Sequence, residues 1–327
     1  MRNCPSGWWP WSVRRLRAFN RGFNKGDAIT RGVVTAAAAA IIVLTAMIVY
    51  ELWVNSALAR DRFGWEFLLS REWDPVAGEF GALPFIYGTV VSSAIALAIA
   101  VPMGVGAAIF LAELASPRLS DALTFLIELL AAVPSVIYGL IGIFVGVPLL
   151  REYVHPVLVR TVGWSPFFDG PFFGVSMLAA GIVLALMILP FIVSVSRQVL
   201  LAVPPDQREA ALALGATRWE TTWRVVVPFA KTGIVGSIFL ALARALGETM
   251  AVTMVIGNQP MINTSLLAPG YSIAAVIANE FREATTALHV DSLVLLGLVL
   301  FALTIVINGL ARLLVASTNR TASRVTA

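Results

Sequence analysis

Six stretches of this chain are long and apolar enough to cross a lipid bilayer: residues 33–54, 86–111, 123–149, 173–195, 233–256 and 290–315. A helix needs about 20 consecutive apolar residues to span the hydrocarbon core. No water is available there, so a single spanning segment satisfies its backbone groups internally by coiling into a helix. The sequence therefore predicts an all-α integral membrane protein with six transmembrane helices. Composition supports this: 58% of the 327 residues are apolar, 13% are charged, and the mean hydropathy is +0.85. Soluble domains carry about 25% charged residues, so this chain lacks the polar surface to be one.

The expected organisation is a basic tail over 1–32, a six-helix domain over 33–316 with a large loop at 204–228, and a short tail over 317–327. Ala57-Leu58-Ala59 resembles a signal-peptide cleavage site. The apolar stretch before it exceeds the roughly 7–15 residues of a secretory signal, so the first span is read as a retained helix. The lone cysteine, Cys4, excludes an intrachain disulfide. His155 and His289 lack ligand spacing, and neither a metal site nor a nucleic-acid partner is expected.

Orientation follows from where Arg and Lys fall relative to the spans. Sixteen of the 23 lie in the two tails, the 2–3 loop and the 4–5 loop, and six lie in the opposite loops. Both termini and the 204–228 loop are thus expected in the cytoplasm. Trp8, Trp9 and Trp11 among the N-terminal basic residues suit a tail lying on lipid headgroups, and a disordered tail is the alternative.

The remaining cation, Arg244, sits within the fifth span in "IFLALARALGETMAVTMVIG", four residues before Glu248. A charge at mid-bilayer costs about 2.5–3.5 kcal/mol on insertion scales, and such residues face the bundle interior. On a continuous helix the i, i+4 spacing puts both side chains on one face. A structural ion pair is one reading. Packed hydrophobic residues often replace such pairs without loss, which favours contact with a substrate or gating. A guanidinium is a planar, permanently charged fork suited to an oxyanion. Glu248 is then a release partner for Arg244 or a proton acceptor, and Thr249 beside it joins the same candidate pathway.

Prolines interrupt three spans, at Pro102, Pro134 and Pro190. Each removes a helix donor. Near Pro134, the hydroxyls of Ser135 and Tyr138 are candidates to line a cavity. Glu128, just inside the third span, is read as snorkelling or contacting a partner, and Asn308 as an interhelical hydrogen bond. Residues 271–281 are too short to span and are expected to form a short helix outside the membrane, either contacting a binding protein or packing as a lid.

The loop at 204–228 reads as two short helices. Asp206 is the expected N-cap of the first, with Glu209 completing a capping box, and Gly215 ends it in a left-handed conformation. The second is expected from about 218 to 226 with Trp219 and Trp223 on one face, and Pro228 marks entry to the fifth span. The loop either packs on headgroups or docks into a soluble partner's groove.

Glu209-Ala210-Ala211, three residues, Gly215, nine residues and then Val225-Val226-Val227-Pro228 resembles the EAA loop of ABC importer permeases. Val225 and Val227 replace that family's Ile and Leu. The resemblance implies a type I importer permease fold, with Glu209, Ala210, Ala211, Gly215 and Pro228 in the docking to an ATPase subunit. The chain has no P-loop pattern of its own, since neither Lys25 nor Lys231 follows the required glycines. It is therefore expected to bind no cofactor, with ATP-Mg used by a partner.

From about Phe63 to Leu314 the chain is similar to the permeases of the phosphate-specific (Pst) transport system. "LLAPGYSIAAVIANEF" and "MAVTMVIGN" are similar to its C-type branch. That resemblance implies phosphate import across a bacterial or archaeal cytoplasmic membrane. It also implies an A-type permease partner, two ATPase subunits, an external phosphate-binding protein and surrounding membrane lipid. Residue chemistry alone leaves sulfate or molybdate open as cargo. It also leaves open a self-sufficient anion channel or secondary transporter, and it lends no nucleophile or metal cluster to an intramembrane enzyme.

Overall fold

The computed structural model describes residues 12–170 and 174–325, with side chains over 27–161, 163–170 and 174–313. Trp8, Trp9, Trp11 and Cys4 lie outside the described residues. The chain divides into two units, one ending at Val54 and the other beginning at Asn55. The first is α1 (Ser12–Val54), a single helix of 43 residues. Its apolar window from Asp27 to Val54 is long enough to cross a membrane and exposes side chains such as Ile41, Ile42 and Leu44.

The second unit opens with two short helices, α2 (Ala57–Phe63) and α3 (Glu66–Leu69), and a two-residue hairpin, β1 (Trp73–Asp74) and β2 (Glu79–Phe80), in which Trp73 faces Phe80. α4 (Leu83–Ile109) follows and ends in a π turn, Phe110–Leu114. Next come α5 (Pro117–Ala131) and a rod assembled from α6 (Ser135–Ile141), α7 (Val147–Leu149) and α8 (His155–Val162), joined by π turns Gly142–Gly146 and Leu150–Val154. α9 (Met177–Leu201) is the fourth span. α10 (Pro205–Ala213) and α11 (Arg218–Thr221) lead through the π turn Thr222–Val226 into α12 (Val227–Leu246). α13 (Met250–Val255), α14 (Ile273–Glu280) and α15 (Ala287–Val325) complete the chain. Among the described residues, six helical segments are long and apolar enough to cross a membrane, which makes this a multi-pass membrane protein.

The centre of the bundle is α9 packed on α4, through small residues that let the two backbones approach. A Cβ on Gly181 would meet Ile95 at 2.5 Å, and one on Gly104 would meet Ile192 at 2.8 Å. Small residues serve this purpose in lipid, where no hydrophobic force drives helices together. The opening turn of α9 needs partners for its unpaired N–H groups. The Ser176 side chain accepts from Ala179, and the amides of Ser176, Met177 and Leu178 donate to the carbonyls of Val255, Ala268 and Leu266. The segment after α13 thus folds over the head of α9. A short helix forms within 271–281 as expected: α14 is capped by Ser272, with Ile273, Ala274, Ala275 and Val276 buried.

Of the four π turns among the described residues, three end two residues before a proline, at Pro148, Pro156 and Pro228. A proline in an α-helix collides with the carbonyl four residues back. Widening the preceding turn, so that the amides of Val147, His155 and Val227 reach back five residues to Gly142, Leu150 and Thr222, lets the chain pass each proline as one rod. Pro102 and Pro190 remain inside α4 and α9.

Four expectations need correcting. The third span is Ser135–Thr161, displaced from 123–149, because the chain breaks at Pro134 and α5 is a separate helix. Glu128 is therefore an exposed residue of α5, outside the spans. The second helix of the 204–228 loop is continuous with the fifth span, Arg218–Leu246, because its π turn absorbs Pro228. Asn308 donates to the Thr304 carbonyl of its own helix at 2.9 Å instead of to a neighbouring helix.

Candidate functional site

The fifth span does not run through "RALGET". α12 stops at Leu246, Gly247 follows, and α13 restarts at Met250. Glycine lowers the cost of leaving the helix, and the two polar residues after it supply local bonds. Glu248 Oε1 accepts from the Ala251 amide at 3.2 Å, and the Thr249 hydroxyl donates to the Gly247 carbonyl at 3.3 Å. This corrects the expectation that Arg244 and Glu248 share one helix face. They lie on opposite sides of a break, no ion pair joins them among the described residues, and Glu248 caps α13 instead.

Arg244 is exposed at the last turn of α12, and among the described residues no hydrogen bond or ion pair of this chain engages it. Its position at a helix C-terminus, near unpaired carbonyls, is favourable for a cation. Its charge lies within electrostatic reach of the Tyr138 phenol. The reach arises because α6 packs against α13. A Cβ on Gly139 would fall 2.6 Å from Met254 Sδ and 3.1 Å from Ala251 Cα. The structure therefore packs α6, which starts after the break at Pro134, against α13, which starts after the break at Gly247.

Tyr138 has a different task from the one expected. Pro134 cannot donate to the carbonyl four residues earlier, that of Leu130. The Tyr138 hydroxyl donates there instead, at 2.7 Å, and the Val133 amide adds a longer bond. Tyr138 is buried and repairs the break rather than offering its hydroxyl to a cavity. Ser135 is half-buried at the start of α6.

At the other end of the fifth span, α10 stands out from the bundle with none of its residues buried. Glu209 and Ala210 are exposed, Ala211 is half-buried, and Leu212 and Leu214 project into the open. Gly215 ends the helix at φ +89°, as expected. Asp206 is not the N-cap. Pro204 occupies that position, and Asp206 lies in the first turn, where its charge suits the helix dipole. The capping box is at the start of α11, where Thr217 accepts from the Glu220 amide at 3.2 Å and Glu220 accepts from the Thr217 amide at 2.9 Å. Trp219 and Trp223 are both exposed, with ring centroids 5.6 Å apart.

An exposed short helix between late spans, ended by a glycine and followed by a proline-bearing span, is the geometry that the loop motif implied. The family model for the binding-protein-dependent transport system inner membrane component matches residues 100–320. This chain belongs to that family. Among curated relatives, the permease is 47% identical over 306 residues to the "Phosphate transport system permease protein PstC" of Mesorhizobium japonicum, covering 92% of this chain and 94% of the relative. It is also 47% identical to the protein of the same name from Haemophilus influenzae, over 86% of this chain and 90% of that one. Among solved structures, it resembles a bacterial alginate ABC transporter at 16% identity and a TM-score of 0.57, covering 88% of this chain and 94% of the other. That likeness shows the fold alone.

Two functional candidates in the permease escaped the sequence reading, Glu113 and Arg208. The sequence reading counted Arg208 only as one of the basic loop residues. In the structure its guanidinium makes four hydrogen bonds, two to Glu113 (2.8 and 3.4 Å), one to the Leu200 carbonyl (2.8 Å) and one to the Val203 carbonyl. Its place directly before the Glu209-Ala210-Ala211 motif was the only available signal.

Proposed function

We propose that this permease is the membrane-spanning subunit of an ABC importer that moves inorganic phosphate across a bacterial or archaeal cytoplasmic membrane. ATP hydrolysis in separate ATPase subunits drives it. The observation that carries this reading is the 47% identity, over nearly the full length of both chains, to relatives named as phosphate transport permeases.

In this reading α10 docks into an ATPase subunit through Glu209, Ala210 and Ala211, with Gly215 closing the helix and Pro228 opening α12 behind it. Both termini and α10 face the cytoplasm. An A-type permease completes the pathway, and an external phosphate-binding protein delivers the anion. Arg244 is the anion contact, because it is an exposed cation at the end of the fifth span with no hydrogen bond or ion pair among the described residues. Ser135 and Thr249 lie by the two breaks that flank it. Glu248 holds the break in shape through α13, so it acts on the pathway through geometry even before any role for its charge. ATP-Mg belongs to the partner ATPase.

The test is uptake by the reconstituted complex of permeases, ATPases and binding protein. ATP-dependent accumulation of labelled phosphate, resistant to excess sulfate and molybdate, is expected. Preferential uptake of another oxyanion, or phosphate flux through this chain alone without ATP, overturns the proposal.

A further inference from the structure

α10 presents a mechanical problem that its sequence does not announce. It is nine residues long, none of them buried, and it lies between Pro204 and Gly215, a glycine in left-handed geometry. Such a helix has little apolar surface with which to grip the bundle, so a push on it could be absorbed by bending the flanking chain. Among the described residues, Arg208 is the α10 side chain that bonds this helix to the bundle. Its guanidinium is mostly buried, with 22% of the side chain accessible, and Glu113 is more so at 11%.

We infer that Arg208 is a positioning residue for transport, a pin that makes α10 move together with the ends of α4 and α9. The inference rests on the functional reading above. Three elements meet at the one side chain. Arg208 belongs to α10, the Leu200 and Val203 carbonyls lie at the end of α9, and Glu113 belongs to the π turn that closes α4. A guanidinium alone among side chains offers enough donors in a rigid fork to serve all of them.

The same π turn is held from its other side. Ser120 of α5 donates to the Leu111 carbonyl at 2.8 Å, and Arg197 of α9 donates to Ser120 Oγ at 3.1 Å. The turn that receives the pin is therefore braced against α9 and α5. π turns pair backbone groups over five residues and recur at functional sites. Here the turn is the receiving end of a rigid linkage that begins at the docking helix.

The experiment uses the complete complex in liposomes and measures phosphate uptake and ATP hydrolysis together. Arg208→Met is expected to lower phosphate moved per ATP about tenfold while hydrolysis stimulated by the binding protein continues. Glu113→Gln, which spares both carbonyl contacts, is expected to act in the same direction more weakly. The double variant is expected to be no worse than Arg208→Met, because both changes remove one tie. Arg208→Lys keeps the charge without the fork and is expected to fall between. A wild-type ratio in assembled Arg208→Met overturns the inference, as does an equal loss of uptake and hydrolysis, which marks a structural role only. If Arg208→Met does not assemble, the ratio for Glu113→Gln decides. A wild-type complex that moves another anion overturns the functional reading alone, and the same ratio measured with that anion still tests the pin.

Discussion

Two arginines, one in the fifth span and one in the loop before it, have opposite surroundings. Arg208 spends its donors inside the chain, on one carboxylate and two carbonyls. Arg244 spends none on any described residue of the chain and faces outward at the break between α12 and α13. A cation that satisfies itself within one subunit stiffens that subunit. One that does not is held ready for something brought from outside. On the proposed function, the contrast separates transmission from recognition along one stretch of sequence, although both residues are arginines.

The sharpest attempt to break this contrast is Arg244→Leu. It removes no internal bond, so assembly and thermal stability are expected to stay at wild-type levels. Phosphate uptake is expected to fall about a hundredfold, the loss of about 2.7 kcal/mol of charge-assisted bonding. Uptake by an assembled Arg244→Leu complex at the wild-type rate would remove Arg244 from the pathway.

Next in size is the contact that holds the two breaks together. Gly139→Val drives a side chain into Ala251 and Met254, and overpacking of this kind costs about 2 kcal/mol. A lower melting temperature in detergent and reduced uptake are expected. An unchanged melt means that α6 and α13 separate easily.

Glu248 gives a paired test. Glu248→Ala removes the acceptor of the Ala251 amide, with a loss of about 1 kcal/mol expected from a missing cap. Glu248→Gln keeps an acceptor and is expected to melt like the wild type. Its uptake then reads the charge alone, and a wild-type rate confines Glu248 to capping.

Tyr138→Phe removes the 2.7 Å bond to the Leu130 carbonyl and is expected to cost about 1 kcal/mol, with phosphate affinity unchanged. A shift in affinity at constant stability returns Tyr138 to the pathway.

The smallest effect concerns Tyr271, beside α14, whose phenol burial pushes up to about 12. Its raised value stabilises the fold fully below the ordinary tyrosine range and is lost as pH rises through about 12. Absorbance titration is expected to show one tyrosine ionising last, and its ionisation with the exposed ones would mean that α14 opens.

Much of this was legible in the sequence, for identifiable reasons. Spans advertise themselves because a bilayer demands an unbroken apolar run, so Leu83–Leu114 lay within a few residues of the expected 86–111. Gly215 was readable because a positive φ at a helix end selects glycine. The third span was displaced because hydropathy runs straight through Pro134, whereas the backbone does not. The capping box was assigned to Asp206 when Thr217-Arg218-Trp219-Glu220 carried the same spacing. Both sites fit the pattern, and only the fold chooses between them. Arg208 was counted for its charge alone because its partner lies 95 residues away.

The sequence by itself determined that this chain lives in a membrane, how many helices it can thread, and which residues carry charge into apolar surroundings. Those are one-dimensional properties: run length, composition and spacing. Only the tertiary structure decided that "RALGET" is a break rather than a helical face, and that Glu248 caps α13 instead of neutralising Arg244. It alone showed that the Tyr138 hydroxyl repairs the gap left by Pro134. The physical reason is the same in each case. A buried backbone group must find a hydrogen-bond partner. Which side chain supplies it depends on what the folded chain brings within about 3 Å, and spacing along the sequence does not encode that distance.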